Sequence, residues 1–234
     1  MLVVDFIIIL GAIVGFKRGF TRSLLSAVGL VLIVILSFLF KNQISVLFYE
    51  NLPFFKFGGV LKGVTVLNMF LYELIAFFVV ALILSIILRI LLVVSTLLEK
   101  VLEATILLGI PSKILGAIVG ALEAYVITFL ILYMVSLPLF NNSLIKDSKF
   151  KDAILYNTPI LTGLLGNSMY AVDEFALLRD KYESEENANQ FNYEALDLML
   201  KYKIVTVHSV DILIRKDKLK IENIDYLLNQ YRTN

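Results

Sequence analysis

The stretch GAIVGFKRGF, residues 11–20, carries glycines at 11, 15 and 19 and sets Lys17 and Arg18 between the last two. A glycine inside a helix costs about 1 kcal/mol relative to alanine, and adjacent cations are costly in an apolar phase. Residues four apart stack on one helix face, so Gly11, Gly15 and Gly19 form a flat strip. A second strip recurs in PSKILGAIVGALEA, residues 111–124, as Ser112, Gly116, Gly120 and Ala124. In lipid no hydrophobic force draws helices together, and small residues permit the close backbone contact that replaces it. The strips therefore read as helix-packing surfaces, a glycine zipper, either within one chain or between copies. Lys17, Arg18 and Arg22 read as a membrane-interface anchor whose side chains reach the headgroups. Basic residues favour the cytoplasmic side, which puts this turn in the cytoplasm and the N-terminus outside.

Composition widens that reading. Hydrophobic residues make up 59% of the 234 residues and mean hydropathy is +0.86, above the roughly 45–50% apolar content of soluble domains. The charge is uneven. Residues 1–140 hold nine Lys or Arg against six carboxylates, and residues 141–234 hold twelve against fourteen. The chain divides accordingly into a transmembrane part, 1–140, and a soluble helical domain, 141–234. Cysteine is absent and histidine occurs once, which excludes disulfides, thiolate catalysis and cysteine-ligated metals. The first apolar run lacks a basic lead and a small-residue cleavage site, so a retained helix is expected rather than a signal peptide.

The bilayer core, about 30 Å thick, needs roughly 20 apolar residues as helix. Four runs approach that length: about 2–18, 24–40, 69–89 and 114–137. Residues 90–108 alternate faces at helical spacing, with Ser95, Thr96, Glu99, Lys100 and Glu103 opposite the aliphatic residues. This predicts an interfacial amphipathic helix, ended by Gly109 and Pro111. LPFFKFGGVLKG, residues 52–63, reads as an interfacial connection. Beyond residue 141, Thr158-Pro159 opens a helix whose core face is Leu161, Leu164, Leu165, Met169, Val172, Phe175 and Ala176. Residues 181–190 read as a solvated loop, Asn192 as the cap of a helix carrying Leu196, Met199 and Leu200, and Ile221 to Tyr231 as a last helix. No internal repeat is expected. The fold class is all-α, a polytopic membrane protein with about four transmembrane helices.

Charges within the apolar runs are the candidates for a pore or an ion-coupling site. Asp5 and Glu73 lie near helix ends, where an interfacial position suffices. Glu123 falls well inside the last run and must be protonated, paired or exposed to water; Arg89 is a conceivable partner. Other basic residues do not settle orientation: Lys100 and Lys113 agree with a cytoplasmic first turn, whereas Lys41, Lys56, Lys62, Lys146, Lys149 and Lys151 oppose it. With four spans, residues 141–234 lie outside. No phosphate loop, dinucleotide fingerprint, zinc-protease or esterase motif occurs, and His208 beside Ser209 and Asp211 is an ordinary histidine. No enzyme activity, cofactor or metal site is expected, and balanced charge gives no nucleic-acid footprint.

Asp5 followed by apolar residues and then Gly15-Phe16-Lys17-Arg18-Gly19-Phe20 resembles the opening motif of the colicin V production protein family of bacterial inner-membrane proteins. Leu115-Gly116-Ala117-Ile118-Val119-Gly120 resembles its second glycine motif. The resemblance covers about residues 1–140 and marks Asp5, Gly15, Arg18, Gly19, Gly116 and Gly120 as motif positions without assigned roles. It implies a multi-pass protein of the bacterial cytoplasmic membrane that supports peptide-toxin production or export, or envelope homeostasis. Partners expected are membrane lipid, further copies of the chain in a homo-oligomer, and an export or envelope protein. The other readings are a small channel or transporter with Glu123 facing a glycine-lined path, and a scaffold that binds a partner through 141–234.

Overall fold

A computed structural model describes residues 2–56, 63–102, 109–137, 149–182 and 187–232. Among them are nine helices and no strand: α1 (Leu2–Arg18), α2 (Phe20–Asn51), α3 (Leu67–Leu102), α4 (Gly109–Val135), α5 (Lys149–Tyr156), α6 (Pro159–Tyr182), α7 (Ala188–Lys201), α8 (Val207–Arg215) and α9 (Ile224–Arg232). Three segments are long and apolar enough to cross a membrane: Phe20–Asn51, Leu67–Leu91 and Ile110–Val135. The fourth expected span, α1, has 17 residues and so reaches about 25 Å, short of a bilayer core of about 30 Å.

One expected break is absent. The proposed interfacial helix over 90–108 is, as far as Leu102, a continuation of α3. No glycine or proline lies between residues 67 and 102, so nothing in the backbone interrupts the hydrogen-bond ladder; residues 103–108 lie outside the described residues. Gly109 and Pro111 stand in the first turn of α4, and the helix end expected before them lies outside the described residues. Proline is tolerated in a first turn because its missing N–H would be unpaired there. Of the interfacial connection, residues 57–62 lie outside the described set. Phe54 and Phe55 stack near Tyr72, with ring centroids 5.8 and 6.4 Å away.

The chain forms two compact units, and these do not follow a boundary at residue 140. The first comprises Met1–Ser37, Val79–Met134 and Ser148–Asn157; the second comprises Phe38–Phe78, Val135–Asp147 and Thr158–Asn234. In the first unit the two glycine strips face each other. A Cβ on Gly15 would stand 2.1 Å from the carbonyl oxygen of Gly116, and one on Gly120 would stand 2.3 Å from that of Gly11. Gly19, at φ +79°, is the only residue between α1 and α2; a side chain there would be strained. The corner is tied by Ser112, whose Oγ accepts the Phe20 N–H at 3.1 Å, and by Ser23, which donates to the Gly15 carbonyl at 3.3 Å.

In the second unit the C-terminal helices bury the ends of α2 and α3. Tyr49, Val66, Leu67, Met69 and Tyr72 share one core with Phe175, Leu196, Met199, Leu213, Leu227 and Leu228. Phe175 meets Phe70 and Phe191 edge-on at 5.3 and 5.4 Å, a geometry favoured by the ring quadrupole. The expected α6 face is buried at Leu161, Leu165, Met169, Val172 and Phe175, and α6 begins at Pro159. The cap of α7 is Asn187, whose side chain accepts from the Gln190 N–H. Asn192, expected to cap, lies inside α7 and is buried.

A short repeat also emerges. Glu174, Leu178, Lys181 and Tyr182 recur twenty residues on as Glu194, Leu198, Lys201 and Tyr202. The two segments lie on α6 and α7 and clasp reciprocally. Lys181 pairs with Glu194 at 2.9 Å and Lys201 with Glu174 at 3.0 Å. Tyr182 donates to Glu194 at 2.8 Å, and Tyr202 donates to Glu174. The Tyr202 hydroxyl holds Glu174 below its ordinary value of 4.5 against the opposing effect of burial, with Lys201 assisting. Burial raises Glu194, but hydrogen bonds from Gln190, Lys181 and Tyr182 outweigh it and leave that carboxyl lowered too.

Two outcomes follow from this packing. Gly15→Ala destabilises the folded chain in detergent by about 1–3 kcal/mol, the usual cost of overpacking. Gly163→Ala, where an added Cβ meets nothing within 4 Å, stabilises it by about 0.5–1 kcal/mol; thermal melts of the two variants compare them. For the clasp, carboxyls lowered on folding contribute stability that is present above their unfolded value and lost as pH falls through the folded one. The melting temperature is therefore level from neutral pH down to about 4.5 and falls below it. The Glu174→Gln, Glu194→Gln pair melts lower at neutral pH and shows a shallower acid slope.

Candidate functional site

Two polar clusters sit on helices that are otherwise apolar. In the first unit, Glu123 of α4 accepts a hydrogen bond from Ser26 at 2.7 Å and pairs with Arg18 at 3.5 Å. Arg18 also lies 3.5 Å from the Ser26 hydroxyl. The partner of Glu123 is thus Arg18, the last residue of α1, and not Arg89. The cause is the register of the glycine strips, which sets Gly15 against Gly116 and Gly120 and so brings the end of α1 beside α4. Glu123 retains 18% side-chain exposure. Ala124, the last residue of the second strip, is buried against the line of Gly11.

The second cluster is more enclosed. Glu73, 4% exposed, receives Lys41 on Oε2 at 2.6 Å and both Ser45 and Tyr49 on Oε1, at 2.6 and 2.7 Å. Lys41 spends its other donors on Asn42 Oδ1 at 2.8 Å and on the backbone carbonyl of Ile204 at 2.9 Å. Every charge in it is therefore met, which buried ions require. The expectation of an interfacial Glu73 gives way to a buried, fourfold-coordinated pair. Lys41, Ser45 and Tyr49 are spaced by four and share one face of α2; that polar line in an aliphatic run was the signal available in the sequence.

Two further residues, neither expected in this role, tie the C-terminal region to the ends of α2 and α3, and a third, Asn68, ties α3 to the segment after α2. Lys218 donates to the carbonyls of Tyr49, Glu50 and Leu52, which end α2. Those carbonyls have no partner within the helix, and a cation there also meets the negative end of the helix dipole. Asn192 accepts from the Val66 N–H at 3.1 Å and from Thr65, and donates to Gly63 and Ala188 carbonyls. Asn68, fully buried, exchanges hydrogen bonds with the backbone of Phe55.

The remaining candidates stand apart. Lys17, Arg22, Asp5 and Arg89 are exposed, and Lys113 lies 6.0 Å from the Phe16 ring. His208 is exposed in the first turn of α8, while Ser209 and Thr206 form the cap of that helix. Among the described residues no group of three or more His, Asp or Glu side chains converges as a metal site would.

Among the described residues, regular elements that are all helical, three helices long and apolar enough to cross a membrane, and an exposed aliphatic surface mark a membrane protein. It belongs to the colicin V production protein family, whose sequence model matches residues 2–159. The match runs past residue 140 to include α5 and the start of α6, and leaves most of the second unit's C-terminal helices beyond it. Neither the curated proteins nor the solved structures give a match to this chain.

The Lys41–Glu73 pair yields a non-additive prediction. Lys41→Met alone leaves a buried carboxylate without its cation and destabilises the chain by about 3–5 kcal/mol. Adding Glu73→Gln, which keeps an acceptor for Ser45 and Tyr49, recovers much of that loss. A double-mutant cycle on melts in detergent checks the coupling.

Proposed function

We propose that this chain is a non-catalytic, multi-pass protein of the bacterial cytoplasmic membrane that serves peptide-toxin export or envelope homeostasis as a helical platform. The observation that carries the reading is how the carboxylates of its apolar helices are used. Glu123 is engaged by Arg18 and Ser26, and Glu73 by Lys41, Ser45 and Tyr49. A carboxylate bound in this way joins helices, which supports the platform over a channel lined by Glu123. The platform is the C-terminal helical body, which packs on residues 38–51 of α2 and presents the docking surface for an export or envelope partner.

The same reading places that body. Lys17, Arg18 and Arg22 hold the start of α2 at the cytoplasmic face. Lys41, the first basic residue opposing that orientation, is buried in an ion pair and so does not act as a loop charge. A helix of 32 residues extends about 48 Å, which carries its last turns through the bilayer to the external side. α6–α9 accompany those turns whether or not α1 crosses.

The chain lacks cysteine, so Tyr226→Cys, at a 67% exposed position, gives one label site. A membrane-impermeant maleimide labels it in intact spheroplasts, and a deletion strain loses toxin secretion or tolerance to envelope stress. Liposomes containing the protein pass ions no faster than empty ones. Flux above that background, abolished by Glu123→Gln, would restore the channel and remove the platform.

A further inference from the structure

Four described charges of the first unit have no ion pair, hydrogen bond or ring contact with the described residues: Lys17 and Arg22, beside the α1–α2 corner, and Asp5 on α1 and Arg89 on α3, both exposed. The last two each sit in an aliphatic surface: Val3, Phe6 and Ile9 are exposed around Asp5, and Ile86, Ile87 and Ile90 around Arg89. The other carboxylates of the apolar runs, Glu73 and Glu123, each have a cation within the chain. Lipid tails offer Asp5 and Arg89 neither a counter-ion nor water.

Their depths correspond. Gly19 joins α1 to α2, so both helices can be measured from that level. Asp5 lies about 21 Å along α1 from it, and Gly29 about 15 Å along α2. A Cβ on Gly29 would meet the Leu88 side chain at 2.4 Å, so Arg89, the next residue, lies at nearly the same level as Gly29. The offset of about 6 Å is within the span of an extended arginine side chain, which moves its charge along the membrane normal. Because α1 is short, Asp5 also falls inside a hydrocarbon layer of about 30 Å rather than at its far boundary.

We propose that Asp5 of one copy pairs with Arg89 of a second copy, joining the exposed face of α1 to the exposed face of α3 in a homo-oligomer. The occupant is a second copy because this chain supplies both halves of the pair at matching depth on surfaces of the same apolar character. The packing within each copy, set by the glycine strips, leaves these faces outward. The inference rests on the membrane-spanning reading of the chain.

Single cysteines in this cysteine-free protein test the contact. Asp5→Cys and Arg89→Cys copies carrying different tags are expressed together and oxidised in the membrane. The mixed disulfide is expected to exceed either like-with-like product. In nanodiscs, Asp5→Asn or Arg89→Gln weakens self-association about tenfold. Exchanging the charges, Asp5→Arg with Arg89→Asp, restores what either change alone removes. A monomer in nanodiscs, an oligomer indifferent to both neutral variants, or like-with-like disulfides in equal yield overturns the proposal; the last two assign the faces to lipid or to another protein. Resistance of the chain to carbonate extraction is scored separately, so that loss from the membrane counts against the spanning reading and not against this interface.

Discussion

The backbones of α1 and α4 approach so closely at Gly11, Gly15, Gly116 and Gly120 that even one methyl group would collide with a carbonyl, and the rest of the first unit depends on that approach. Apolar burial drives folding in water but not between helices in lipid, where tails are as apolar as leucine. Contact energy then comes from dispersion, which falls steeply with a gap of half an ångström. Glycine is the residue that removes the gap. Its intrinsic cost in a helix is offset by neighbours it could not otherwise reach, which explains why helix-weakening residues are concentrated on these two faces.

Register follows from the same contact. Once Gly15 seats against Gly116 and Gly120, Arg18 reaches Glu123 and Ser26, and the α1–α2 corner falls where Ser112 can accept the Phe20 N–H. Arg18, at the end of α1, thereby neutralises a carboxylate on α4. Charge in the second unit follows the same logic with more enclosure. Glu73 has three donors and Lys41 a backbone carbonyl as well as its counter-ion. Such a pair adds little net stability over apolar residues of equal volume, but it penalises any other arrangement of the helices that share it.

The residues beyond the family match have a structural use that composition did not disclose. Residues 41–51 and 67–73 extend the apolar helices beyond what a bilayer needs, and the C-terminal helices provide the cover that lipid does not. Lys218 on the end of α2 and Asn192 on the approach to α3 show the cover is specific. In this family member the C-terminal region is therefore part of one core with α2 and α3, and a cut at residue 140 would separate groups that fold together.

Periodicity alone determined much of this protein. Spacings of four at Gly11–Gly19 and Ser112–Ala124, long apolar runs and an absence of strand patterns specify an all-helical membrane chain with two packing strips, because those signals arise within single helices. The family motifs around Gly15–Phe20 and Leu115–Gly120 were legible for the same reason. Tertiary structure decided what touches what: that the strips meet each other inside one chain, that Glu123 takes Arg18 and not Arg89, that Glu73 is buried with Lys41, and that Asn192 serves a distant backbone and not its own helix. Each of those pairs is separated by more than twenty residues in the chain, and a helix face carries no record of the partner it will meet. Only the mutual rotation and register of packed helices supply it.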